Sequence, residues 1–252
     1  MSEANDDAAP VLWEQMDDVG ILTFNRPAAG NSLNVALFEE LGKLLAAVLE
    51  DQTVRALVIT GAGARFFCTG MDLSGAGDMS KGWPGGQLVR EFVTGDFPKP
   101  IVAAVNGAAV GGGFELVLAS DLVIAETHAR FGLPEVTRGL IAGGGGTLLA
   151  ARIPQVFALE LALTGALIDA ARAERLGLVN EIVAEGAARS RAIELARVVA
   201  ANGPLAVALT KKLVRARRLG EPEELLGVFG SNDAKEGAIA FAEKRRPQFS
   251  GS

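Results

Sequence analysis

Apolar residues in this chain follow two periods. Short runs at residues 19–24, 56–60, 101–105 and 122–125 are almost wholly apolar and precede turn-forming positions, the pattern of strands buried within a sheet. Within residues 35–49, Leu37, Phe38, Leu41, Leu44, Leu45 and Val48 recur at helical spacing, which predicts an amphipathic helix. Strands alternating with helices predict an α/β or mixed arrangement rather than an all-α bundle. Residues 72–100 differ: Gly75, Gly77, Gly82, Pro84, Gly85 and Gly86 precede a short helical pattern at 88–93, which predicts a surface excursion able to line a pocket. From about Gly186 onward the strand pattern ceases and Ala, Leu, Glu, Lys and Arg dominate. Pro204 opens a helix there, with Arg215, Arg217 and Arg218 at its end before Gly220. The expected division is a flexible N-terminus over 1–10, an α/β core over 11–185 and a helical subdomain over 186–252.

Composition narrows the classes of function. A chain of 252 residues, 49% hydrophobic and 21% charged, suits one large packed domain, or a domain with an appended subdomain. The net charge of −6 argues against nucleic acid as a partner, which calls for clustered Lys and Arg. The single cysteine, Cys68, excludes an intramolecular disulfide and a Cys-rich metal site, and the single histidine, His128, excludes a paired-His zinc motif. No Gly-x-Ser-x-Gly elbow is present, which argues against a Ser-His triad. The polar, acidic start MSEANDDAAP lacks the pattern of a signal peptide, and no run approaches the roughly 18 apolar residues of a membrane span. A cytoplasmic protein without membrane contact is expected.

Two glycine clusters, Gly111–Gly113 and Gly143–Gly146, invite a nucleotide-loop reading that neither supports. Leu116 stands where the third glycine of Gly-x-Gly-x-x-Gly belongs, and no Gly-Lys-Ser/Thr follows either cluster. The first cluster predicts a strand over 101–105, a tight turn over 106–113 and a helix over 114–119. Glycine there permits close backbone approach to a ligand, and free N–H groups at a helix start favour negative charge. The same glycines also suit tight helix packing, and the pattern leaves both readings open. Glu115 lies among Phe114, Leu116, Val117 and Leu118, so its carboxylate is expected to be buried, where it must be paired, hydrogen-bonded or protonated. Glu135 follows Pro134 in a constrained loop and by itself reads equally well as solvated. Cys68 reads as a small core residue, His128 as a surface loop residue, and Asp121 as a local cap after a helix. Trp83 is either a cover for a bound chain or a local anchor.

The run Gly107-Ala108-Ala109-Val110-Gly111-Gly112-Gly113-Phe114-Glu115-Leu116, followed by Asp121 and by Phe131-Gly132-Leu133-Pro134-Glu135, resembles the crotonase (enoyl-CoA hydratase/isomerase) superfamily. Further motifs match in order: Phe24-Asn25-Arg26-Pro27 with Asn31-Ser32-Leu33-Asn34; Arg65-Phe66-Phe67-Cys68-Thr69-Gly70-Met71-Asp72-Leu73; Gly139-Leu140-Ile141 with Gly145-Gly146-Thr147; Ala173-Glu174-Arg175-Leu176-Gly177-Leu178-Val179-Asn180; and Phe241-Ala242-Glu243-Lys244-Arg245-Arg246-Pro247. The resemblance spans roughly residues 11–249. It implies an α/β spiral of β-β-α units followed by trimerisation helices, with trimers that commonly pair into hexamers. It implies an acyl-CoA substrate and no cofactor. The implied oxyanion donors are the backbone N–H groups of Met71 and Gly112, with Glu115 as base toward water and Glu135 as proton donor. Ala28, Cys68, Gly70, Asp72, Leu73, Gly111, Phe241 and Lys244 fall at substrate-binding positions.

The chain departs from the family pattern in carrying Ala28 and Ser74 where lysines are common, and Met71 where a small residue is usual in hydratases. Lys244, with Phe241 on the same helical face, either replaces the missing cations or is a solvated charge. The implied activity is hydration of a 2-enoyl-CoA. Isomerisation of an enoyl-CoA and hydration of crotonobetainyl-CoA stand as alternatives within the family, and non-catalytic acyl-CoA or RNA binding as an alternative outside it.

Overall fold

The computed structural model describes residues 9–72 and 84–252. Strand β1 (Val11–Met16) forms a hairpin with β2 (Val19–Phe24), and helix α1 (Val35–Glu50) crosses back to β3 (Ala56–Gly61). The short β4 (Phe66–Cys68) is followed, after the undescribed stretch, by α2 (Gln87–Thr94). Then come β5 (Ile101–Val105), β6 (Ala108–Val110), α3 (Gly112–Ala119), β7 (Leu122–Glu126) and β8 (Arg130–Gly132). Helices α4 (Leu149–Arg152) and α5 (Gln155–Thr164), strand β9 (Ile168–Asp169), α6 (Ala170–Arg175) and β10 (Glu181–Val183) complete the part that contains strands. Helices α7 (Ala188–Ala200), α8 (Pro204–Ala216), α9 (Pro222–Phe229) and α10 (Asn232–Glu243) close the chain.

The larger sheet runs β1-β2-β3-β5-β7-β10, parallel except for the β1–β2 pair. The smaller runs β4-β6-β8-β9, and its first three strands are parallel. Each long strand β3, β5 and β7 thus turns a corner into a short partner in the second sheet. With the helices that follow, this is the expected spiral of β-β-α units. Asn106 braces one such corner: its side chain accepts from Gly61 N–H at 3.1 Å and donates to the carbonyls of Gly61 and Gly63 at 2.8 and 2.7 Å.

Residue alternation in the parallel strands builds two layers of core. Leu22, Phe24, Leu57, Ile59, Ala103 and Val105 face α1, which buries Leu37, Phe38, Leu41, Leu45 and Val48 against them. The opposite face, Val19, Ile21, Ala56, Val58, Val102 and Ala104, is covered by Ala188, Ala192, Ile193, Ala196 and Ala200 of α7. Small residues on α7 let the helix lie close on the sheet. Packing therefore groups α7 with the sheet, although its sequence is of the helical type expected past residue 185. Helix α1 begins where the pattern predicts, with the Asn34 side chain accepting from Leu37 N–H at 2.9 Å as an N-cap. Among the described residues no single helix is long and apolar enough to cross a membrane.

Candidate active site

The two glutamates arrive from neighbouring strands. Glu115 lies in the first turn of α3, after β6, and Glu135 in a 3-10 helix, Pro134–Arg138, after β8. Strands β6 and β8 are parallel partners, Gly111 N–H donates to the Gly132 carbonyl at 2.9 Å, and Phe114 packs on Phe131 with ring centroids 5.6 Å apart. The segments that leave the two strands are thereby held side by side. A Cβ on Gly111 would stand 3.1 Å from Glu135 Oε1, and Gly111 has φ +57°, so a residue without a side chain is what lets the second carboxylate sit over the start of α3.

Glu115 is buried, 8% exposed. Its Oε1 accepts from Gly146 N–H at 2.8 Å, and the N–H groups of Gly144 and Gly145 also favour its charged form. Burial pushes the carboxyl above its ordinary value, the Glu135 charge pushes the same way, and the glycine N–H groups pull against both. Gly144–Gly146 of the second glycine cluster thus make a cradle of backbone donors for a carboxylate. Sequence reasoning excluded it as a phosphate loop without finding this role, although the glycine run itself was the available signal. At Glu135 the situation is reversed: Oε2 is buried and has no hydrogen-bond partner. A buried, orphaned carboxylate oxygen beside a second carboxylate marks a place for a ligand or water.

The two proposed oxyanion loops also meet. A Cβ on Gly70, at φ +92°, would lie 3.0 Å from Gly112 N, and one on Gly112 would lie 3.6 Å from Met71 N. Leu33 and Met71 form a parallel bridge in which Leu33 N–H donates to the Gly70 carbonyl and Asp72 N–H to the Leu33 carbonyl, each at 2.8 Å. That pattern turns the Met71 N–H away from Leu33. Gly112 is the first residue of α3, so its N–H has no partner within the helix. Two backbone donors therefore stand together near the glutamates.

A polar frame holds the first loop. Arg26 pairs with Asp72 at 3.0 Å and donates to the Ser32 carbonyl and hydroxyl at 2.7 and 3.0 Å. Buried Asn31 accepts from Arg26 N–H and donates to the carbonyls of Ala62 and Phe66. The Asp72 side chain is engaged by this frame. Ala28 is exposed in a 3-10 helix, Pro27–Ala29, close before Gly30, whose carbonyl accepts Thr69 N–H at 3.1 Å. Cys68 is fully buried and its thiol is pushed up to about 12 by burial; what it offers the site is backbone, since Gly113 packs against its carbonyl. Leu73, Ser74, Gly75, Gly77, Gly82 and Trp83 lie outside the described residues.

Two expectations need correction. Asp121 is no local cap. Its carboxylate pairs with Lys211 at 2.8 Å and Arg215 at 2.9 Å from α8 and accepts from Ile101 N–H at 2.8 Å, contacts across sequence separations that no local pattern reports. Arg217 lies beyond the last turn of its helix, in the left-handed C-cap of α8. Phe241 and Lys244 are not brought to the glutamates within the chain: Phe241 is 87% exposed, and Lys244 is the left-handed C-cap of α10. Asp233 of that helix binds Ser250 and Gly251 N–H, while Arg55, just before β3, holds the Phe249 carbonyl. This anchors α10 at the sheet end opposite the oxyanion loops. His128 meets the expectation of a loop residue and bonds the Ala64 carbonyl through Nε2 at 2.9 Å.

Comparison with known proteins agrees with this geometry. Residues 14–252 match the family described as enoyl-CoA hydratase/isomerase. The chain is 40% identical to (E)-benzylidenesuccinyl-CoA hydratase of Thauera aromatica, covering 96% of this chain and all of that one. It is 38% identical to carnitinyl-CoA dehydratase of Proteus mirabilis, over 91% of this chain and 94% of that one. The crystal structure of enoyl-CoA hydratase EchA1 from Mycobacterium marinum superposes with a TM-score of 0.87 at 44% identity, covering 97% of this chain and 100% of that one. With a spiral of β-β-α units, two neighbouring backbone donors and paired glutamates, the chain belongs to the enoyl-CoA hydratase/isomerase family.

Proposed function

We propose that the protein adds water reversibly across the double bond of a 2-enoyl-CoA, with Glu115 as base and Glu135 as proton donor. The observation that carries this reading is the unequal pair: one buried carboxylate cradled by glycine N–H groups, beside a second with a buried, unpartnered oxygen. The thioester oxygen accepts from the Met71 and Gly112 N–H groups. Water between the carboxylates gives a proton to Glu115 as its oxygen bonds to C3, and charge moves onto the thioester oxygen as an enolate. Two prearranged donors stabilise that charge without reorganising. Glu135, holding the pair's one proton at the start of the cycle, delivers it to C2, and the proton taken from water is left on Glu115. The upward push on Glu115 makes it a stronger base than an ordinary carboxylate, which suits work near neutral pH. The reaction is redox-neutral and calls for no cofactor, the acyl-CoA being the substrate.

Around the pair, Leu33, Leu133, Ala142 and Leu148 are among the side chains that approach the site glycines, which favours a neutral acyl chain. For the CoA end, Arg65 is a candidate for the cation missing at Ala28. Gly63 lies against Pro27, and Arg65 is exposed and stacked on Phe66 at 5.0 Å. Exposed apolar residues on α5, α9 and α10, among them Val156, Leu163, Phe229 and Phe241, call for cover. A homotrimer or dimer of trimers is part of this reading, with Phe241 and Lys244 serving a neighbouring copy.

A second reading, dehydration of carnitinyl-CoA, is favoured by the similarity to the Proteus mirabilis dehydratase and uses the same chemistry on an acyl chain bearing a quaternary ammonium. Loss of enoyl absorbance with crotonyl-CoA and longer 2-enoyl-CoAs, set beside product analysis with crotonobetainyl-CoA and a 3-enoyl-CoA, separates these. Preferred turnover of neutral 2-enoyl-CoAs is expected. Wild-type rates in both the Glu115→Gln and Glu135→Gln proteins would overturn the assignment of the carboxylates.

A further inference from the structure

We infer that Arg152 and Arg215 are positioning residues that set the place of α3, and through it the Gly112 N–H and Glu115, from the far end of the helix. The inference rests on the hydratase reading for its rate measurements. Helix α3 has eight residues, about 12 Å of rise, and both ends are gripped from outside. At its start Glu115 accepts Gly146 N–H. Six residues further along that same segment, Arg152 Nη1 donates to the carbonyls of Leu118 and Ser120 at 3.1 and 3.0 Å. The stretch from Gly146 to Arg152 therefore spans the helix and sets the distance between the glycine cradle and the helix that bears its carboxylate.

The second grip comes from α8. Arg215 Nη2 donates to the Ala119 carbonyl, and Arg215 Nε pairs with Asp121 at 2.9 Å. Asp121 also accepts Ile101 N–H at the start of β5, so the end of α3 is referred to the sheet. The site is shaped for this guanidinium: Gly95 has φ +84°, and a Cβ there would fall onto Arg215. Leu118, Ala119 and Ser120 are among the carbonyls that a helix of this length leaves without internal partners, and cations are favoured at that end of the dipole. Capping alone would need one cation. Two of them, from different elements, one continuous with the Glu115 cradle, make a clamp. A short helix has no slack to absorb a shift at its end, so loosening the clamp moves the Gly112 donor and the Glu115 oxygen together.

The test is steady-state kinetics on crotonyl-CoA, joined to titration with acetoacetyl-CoA. The bound enolate of that 3-oxoacyl thioester absorbs in the near ultraviolet and reports the oxyanion donors without turnover. Arg152→Met is expected to lower kcat about ten- to hundredfold, the effect of small misplacement, with KM within about twofold and a weakened enolate band. Arg152→Lys is expected to restore most of kcat. Arg218→Gln, which breaks an ion pair with Glu224 away from α3, is expected to leave kcat and the band unchanged. A lower Tm with kcat and the enolate band retained in Arg152→Met would overturn the clamp in favour of a purely structural cap. Should Arg152→Met fail to fold, Arg215→Lys decides. It keeps a charge for Asp121 but lacks the second arm to Ala119, so a several-fold fall in kcat at constant KM supports the clamp and an unchanged kcat overturns it. If the wild-type protein does not hydrate crotonyl-CoA, the hydratase reading fails by itself, and the enolate titration still decides the clamp.

Discussion

The surroundings of Glu115 and Glu135 differ more than their shared chemistry would suggest. Glu115 rises from a buried α-helix into a cradle of glycine N–H groups contributed by a segment thirty-one residues away. Glu135 sits in a short 3-10 helix after Pro134, half-buried, with Oε2 unpartnered. One carboxylate has its position determined by backbone donors, while the other has an unpartnered oxygen and a glycine beneath it. Two groups of one residue type can take opposite ends of a proton transfer when their environments differ in this way. The cradle fixes the place of the group that must take the proton from water, and burial makes that group the more basic. The open oxygen favours the group that must reach the substrate.

The sharpest way to break this comparison is to remove each proton carrier. Glu115→Gln and Glu135→Gln are each expected to lower crotonyl-CoA turnover by about 10²–10⁴-fold, and a small loss at either position would leave one carboxylate without a proton to move. The next largest effect is expected at Gly70→Ala. A side chain there is strained at φ +92° and stands 3.0 Å from Gly112 N, so kcat should fall about 10²–10³-fold with a smaller change in KM. Gly146 in the cradle and Gly143 just before it make a graded test. Gly146→Ala places a methyl 3.3 Å from Glu115 Oε1 and onto Ala142 and should cost about tenfold or more in kcat. Gly143→Ala meets nothing nearer than 3.9 Å and should stay within about twofold. Equal losses at the two positions would mean that loop flexibility, and not donor geometry, sets the rate.

The smallest effect concerns stability and its sign. Burial and the Glu135 charge raise the Glu115 carboxyl above its ordinary 4.5, so the stability this group contributes is present below that value and is lost as pH rises through the raised one. Glu115→Gln, uncharged and still able to accept from Gly146, is expected to melt higher than wild type at pH 8 and together with it near pH 4. In a Glu135→Gln background the advantage should shrink, since one source of the upward push is gone. Thermal denaturation of the four proteins across pH reads both, and an advantage that grows toward acid pH would reverse the assigned sign.

Much of the scaffold was legible along the chain because it rests on local periodicity. The run at 19–24 and the helix from Val35 are found where alternation and helical spacing predict them, since burying a continuous apolar stripe leaves few other solutions. Glu115 could be singled out because a carboxylate among Phe114, Leu116 and Val117 is costly without a purpose. Glu135 could not be judged alone, since nothing in Leu133-Pro134-Glu135 states that one oxygen ends up buried and free. The partners of Asp121 lie ninety and more residues away on α8. Periodicity predicts which face of a helix is buried but not which distant charge meets which.

By itself, the sequence determined the alternation of strands and helices, the helical character of the last quarter, the burial of Glu115 and, through its ordered motifs, the family. Those properties follow from side-chain size, polarity and spacing, which act over a few residues. Only the tertiary structure decided that Gly144–Gly146 cradle a carboxylate, that Gly70 and Gly112 bring two backbone donors close together, that Arg152 and Arg215 hold the far end of α3, and that Phe241 is left exposed. Each of these is a relation between backbone atoms or charges far apart in sequence, and its geometry exists only once the spiral of β-β-α units has closed around it.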